Sequence, residues 1–114
     1  MDIEKYNWSE WKPFPDPRKE GILIAPYGCG LYQLRDIKAQ EYVLFGVGKN
    51  CAYRMSSLLP KRFGQGTRNN ETKRQYVLDN IKSMIYRTIS FTNEIEMKDV
   101  ETELRRLKIH KFNT

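Results

Sequence analysis

The sequence predicts a small α/β (α+β) domain in which a three-stranded, antiparallel-containing sheet is flanked by helices. Three observations carry that expectation. Two strand-like runs, residues 31–35 and 42–47, lie on either side of the polar stretch 36–40, the pattern of a hairpin. Residues 85–91 alternate Ile85, Arg87, Ile89 and Phe91 with Tyr86, Thr88 and Ser90, the period of a third strand. Met97, Val100, Leu104 and Leu107 recur at spacings of three and four, the apolar stripe of an amphipathic helix.

The elements follow in order. Residues 1–20 form an irregular aromatic and proline-rich arm. Its Trp8, Trp11 and Phe14 are broken up by Pro13, Pro15 and Pro17, which suits a segment pinned onto the domain by its rings rather than a helix. Residues 21–114 make the domain proper, beginning with a β-branched run at 22–25 that Pro26-Tyr27-Gly28 stops. After the hairpin, Asn50 caps a helix over 51–59 and Pro60 ends it. Residues 61–70, with two glycines and three basic residues, read as a loop. A helix over 71–82 turns Tyr76, Val77, Asn80 and Ile81 inward, and Thr92 or Asn93 caps the last helix after the third strand.

At 114 residues the chain supports one modest core. No run approaches the roughly 20 apolar residues that a membrane span requires. The N-terminus resembles neither a signal nor a transit peptide, so a cytoplasmic location is expected. Cys29, Cys51 and the single histidine, His110, are too few for a four-ligand zinc site. The cysteines read instead as small buried residues of a reducing compartment. The net charge of +6 is concentrated: residues 49–76 hold Lys49, Arg54, Lys61, Arg62, Arg68, Lys73 and Arg74 against Glu71 alone. Such a block is an electrostatic footprint for a polyanion. Nucleic acid is the expected partner, with Lys49, Lys61, Arg62, Arg68, Lys73 and Arg74 on its phosphates, and the plainer alternative is a solvated surface face.

Gly30-Leu31-Tyr32, then Gly46 fourteen residues after the tyrosine, then Arg54 eight residues further on, resembles the GIY-YIG nuclease superfamily. The string Arg54-Met55-Ser56-Ser57 is most similar to the nuclease domain of the bacterial excinuclease C subunit. Glu101 and Asn113 stand twelve residues apart, the family's spacing for its metal-binding glutamate and following asparagine, so the resemblance covers residues 29–114. It implies a metal-dependent endonuclease that hydrolyses phosphodiester bonds in DNA with one Mg²⁺ (or Mn²⁺) held at Glu101. Arg54 would contact the scissile phosphate through its planar fork. Tyr32 would accept or relay the water's proton, with positive charge nearby to lower its pKa. Lys49 would supply a further cation, and Asn113 would tie the C-terminal tail to the site.

The sequence departs from the family at three positions. Leu44 replaces the tyrosine of the second signature strand, Val47 the lysine common after its glycine, and Leu58 the tyrosine or histidine one turn after the arginine. The alternative is therefore a catalytically degenerate module of the same fold, one that binds nucleic acid or, through the arm, a protein partner. Singly, each residue also has a plainer role. Tyr32 suits a core aromatic, Arg54 a surface residue lying over Leu58, and Glu101 a partner for Arg105 at i+4.

Overall fold

The computed structural model describes residues 3–14, 28–49 and 71–112. The expected run at 22–25, the helix at 51–59 and the loop at 61–70 lie outside the described residues. Five strands are present among the described residues: β1 (Lys12–Pro13), β2 (Gly30–Asp36), β3 (Glu41–Gly48), β4 (Met84–Ser90) and β5 (His110–Phe112). They form one sheet in the order β1-β4-β2-β3-β5. The helices among the described residues are α1 (Glu71–Asp79) and α2 (Glu94–Leu107), with 3₁₀ turns at Ile3–Lys5 and Ile81–Ser83.

The hairpin is closed by chemistry visible in its turn. Asp36 Oδ1 accepts from the backbone N–H groups of Lys38 (3.0 Å) and Ala39 (3.2 Å), and Gln40 takes the left-handed conformation with φ of 55°. Pairing is Leu34 with Leu44 and then Arg35 with Tyr42, so Val43 is an extra residue that bulges β3. β2 is central, antiparallel to β3 on one side and to β4 on the other.

Strand alternation then builds two cores. Tyr32, Leu34, Leu44, Met84 and Tyr86 pack on one face with Val77 of α1 and with Ile81. Leu31, Phe45 and Ile89 pack on the other with Val100 and Leu104 of α2. Asn93 is the residue that caps α2, its Oδ1 accepting from Glu96 N at 2.9 Å, and Lys108 ends the helix in the left-handed conformation.

Two expectations need correction. The sheet has five strands rather than three, because two short strands add to its edges. β5 lies parallel to β3, and β1 pairs with Ile85 and Tyr86 of β4, an edge where Pro13 does no harm. The helix expected over 71–82 ends at Asp79, and the chain passes through Asn80 into the 3₁₀ turn. Of the N-terminal segment, Lys12 and Pro13 join the sheet as β1, while Ile3 is buried in the α2-side core and Phe14 on the α1 side.

Candidate nucleic-acid interface and signature strands

Tyr32 sits mid-strand in β2, opposite Gly46 of β3 and Thr88 of β4, and is 5% exposed. Its ring lies across Gly46, where a Cβ would stand 2.5 Å from Tyr32 Cζ. Gly46 does not have a positive φ, so the glycine is required for space and not for backbone freedom. Leu44, at the position of the second signature tyrosine, is buried in the same cluster as Tyr32 and brings no hydroxyl. Val47 packs against the α2-side core. Arg54, Leu58 and Asn113 lie outside the described residues.

Glu101 stands on α2, the helix packed against the face opposite Tyr32, so the sheet separates these two residues. Its Oε2 accepts from Arg105 Nη2 at 3.1 Å, one turn along the helix. Lys49 is 81% exposed and meets Glu94 Oε1 at 3.1 Å, at the start of α2. Arg105 engages one oxygen of the Glu101 carboxylate, and no three His, Cys, Asp or Glu side chains among the described residues converge to hold a metal.

Among the basic block, Lys73 is half-buried on α1. Arg74 is in α1 by its backbone, but its side chain lies outside what the structure describes, as do Lys61, Arg62 and Arg68. At the α1 end, an open depression of about 630 Å³ is lined by Lys38, Asp79, Asn80, Lys82 and Ser83. Cys29 is a half-buried free thiol. Among the described residues, no helix is long and apolar enough to cross a membrane.

Two polar clusters escaped the sequence reading. In the first, Arg87 is 3% exposed and clamps Glu4 with both terminal nitrogens at 2.8 and 2.7 Å. Its Nε donates to Gln33 Oε1 at 2.7 Å, and Gln33 Nε2 lies 3.0 Å from His110 Nε2. The guanidinium sits 4.0 Å from the Trp8 ring centre and 4.4 Å from that of Trp11. The Arg87 hydrogen bonds, against a smaller opposing effect of burial, hold the Glu4 carboxyl below its ordinary range. Burial, with the Arg87 charge adding to it, pushes His110 down to about 4. One sequence signal pointed here: Arg87 occupies the apolar phase of β4, between Ile85 and Ile89.

In the second cluster, the Tyr76 hydroxyl donates to Asp36 Oδ2 at 3.0 Å and lies 3.4 Å from Glu41 Oε1. Burial, reinforced by the bond to Asp36 and by both carboxylate charges, raises Tyr76 to about 12. Burial would raise Asp36, but hydrogen bonds from Ala39, Ser83, Tyr76 and Lys38 together hold it below its usual range.

No protein-family model, curated protein or solved structure matches this chain.

Proposed function

We propose that the chain is a GIY-YIG-like module that binds the nucleic-acid backbone without turnover at the signature residues. The carrying observation is the +6 charge block of residues 49–76, set beside Tyr32 and Glu101, which lie on opposite sides of the sheet. Hydrolysis by the signature residues would need the metal-binding carboxylate and the proton acceptor on the same phosphate. Here Tyr32 is in the α1-side core, and Glu101 is paired with Arg105 on the other side of the sheet. Backbone binding asks less, since cations can track phosphates without fixed geometry. Trp8, Trp11 and Phe14 are engaged by the chain's own Arg87 and Tyr86, so this reading does not use the arm as a docking surface for a protein partner. A cytoplasmic setting belongs to the same reading.

The second reading is an Mg²⁺- or Mn²⁺-dependent DNA endonuclease. The observation in its favour is the packing of Tyr32 against Gly46 across the two signature strands. Incubation with supercoiled, linear and branched DNA, with Mg²⁺, with Mn²⁺ and with chelator, separates the two. The proposal expects retarded DNA of unchanged length in every condition. Metal-dependent cleavage that Glu101→Gln abolishes would establish the endonuclease instead.

A further inference from the structure

The polar chain beneath α2 admits one arrangement of protons. Arg87 Nε can only donate, so Gln33 presents Oε1 to it and turns its NH₂ toward His110. An amide nitrogen also only donates, so His110 Nε2 must be bare, and the neutral ring carries its proton on Nδ1. Nδ1 is buried without a hydrogen-bond partner among the described residues. A proton added at Nε2 would set donor against donor. Rotating the Gln33 amide gives no escape, because its NH₂ would then face Arg87 Nε–H.

We propose that His110 is an acid-operated latch, whose protonation breaks the Gln33 contact and loosens the N-terminal segment and β5 together. Both edges depend on the same chain. His110 begins β5, and Arg87 holds the N-terminal segment through Glu4, Trp8 and Trp11. The surroundings of the imidazole oppose a second positive charge. β4 presents Arg87, whose charge Glu4 only partly offsets from the far side. β3 presents Phe45 and Tyr42, with ring centres 4.7 and 5.4 Å away, and Arg35 of β2 lies over the Tyr42 ring. Arg87 is the charge that bears on the ring, and Val100, Leu104 and Leu107 of α2 pack in the same core as Phe45.

His110 is the only histidine, and Trp8 and Trp11 are the only tryptophans, so each half of the latch has its own probe. Imidazole ¹⁵N NMR and tryptophan fluorescence of the full chain are recorded from pH 7 down to about 3.5. The neutral Nδ1–H tautomer is expected at pH 7, with the ring titrating far below an ordinary histidine and the tryptophan emission shifting red with the same midpoint. An Nε2–H tautomer, or titration near 6.5, overturns the latch. His110→Gln keeps an acceptor that does not titrate, so its tryptophan transition should move down by about one pH unit or more. A midpoint equal to wild type would assign the acid response to Glu4 and other carboxylates and refute the proposal. Gln33→Glu places a carboxylate between Arg87 and His110 that accepts from both. The imidazole midpoint should then rise by about one unit or more, and an unchanged or lower midpoint counts against the latch.

Discussion

Tyr32 and Gly46 face each other across the hairpin, with the phenol ring filling the space that a side chain at residue 46 would need. An aromatic ring laid over a cross-strand glycine covers backbone that the missing side chain leaves bare. The two residues that carry much of the sequence resemblance are thus coupled by packing. A Tyr–Gly pair at this spacing is needed for the core whether or not the phenol does chemistry.

Replacing Gly46 with alanine should therefore destabilise the fold by about 1–3 kcal/mol, as overpacking does. Tyr32→Leu removes the obstructing ring. In the Gly46→Ala/Tyr32→Leu double mutant the losses should be less than additive, by about 0.5–3 kcal/mol in chemical denaturation. Strict additivity would mean that the ring is not over the glycine.

Arg87 and Glu4 form one ion pair, but their replacements should not cost the same. The Arg87 side chain is 3% exposed and that of Glu4 62%, so water can reach the carboxylate position far more readily than the guanidinium. Glu4→Gln keeps an acceptor and should cost about 1 kcal/mol. Arg87→Lys loses the fork, the Gln33 bond and the stacking between two indoles, and should cost about 2–4 kcal/mol. Denaturant midpoints in the opposite order would show that the arm is held by other contacts.

His110 sets the acid limb of stability. Its folded value of about 4 lies below its ordinary 6.5, so the unfolded chain takes up the proton first as pH falls. Its contribution is complete above pH 6.5 and is lost on the way down to about 4. At about 1.36 kcal/mol per unit, the loss is roughly 3 kcal/mol. His110→Gln should flatten the stability profile between pH 6.5 and about 4, measured by urea unfolding. A profile identical to wild type would show that the imidazole is as easily protonated folded as unfolded.

Tyr76 governs the alkaline side with the opposite logic. Its folded value of about 12 lies above the ordinary 10, so the unfolded tyrosine ionises first as pH rises. The contribution is complete below pH 10 and falls away toward 12. Tyr76→Phe keeps the edge-on contact with Phe112 but loses the bond to Asp36, and should cost about 1–2 kcal/mol at neutral pH. The gap to wild type should narrow by pH 11. A constant gap would mean that the hydroxyl does not hold Asp36.

What could be read in the sequence was local. Leu31, Leu34, Leu44 and Phe45 beside the 36–40 turn mark the hairpin, and Asn93 with Met97, Val100, Leu104 and Leu107 marks α2. β5 went unseen because three residues are too few to show a period, and its parallel partner Tyr42 lies far back in the chain. β1 is two residues long and contains a proline, so nothing in its composition suggests a strand. The Glu4–Arg87 contact spans 83 residues and Gln33–His110 spans 77, distances over which no spacing rule operates. An arginine in the apolar phase of a strand is nevertheless a visible request for a buried partner. The separation of Tyr32 from Glu101 depends on which face α2 covers, which motif spacing does not encode.

The charge block gives the last prediction, one that holds whether or not the protein is catalytic. Phosphate contacts release counterions, so duplex affinity should fall with salt at a log–log slope of about −0.9 per phosphate neutralised. If three to five of Lys61, Arg62, Arg68, Lys73 and Arg74 engage, the slope should be roughly −3 to −4.5. Arg62→Gln/Arg68→Gln should make it shallower by nearly two units, at about 0.9 for each lost contact. The loss should be alike on two unrelated duplexes, because phosphates carry no base information. The titration is run in chelator so that cutting cannot distort it. An unchanged slope in the double mutant would leave these arginines as solvated surface, and the protein would then hold nucleic acid elsewhere or not at all. A loss confined to one duplex would mean that the arginines read bases rather than backbone.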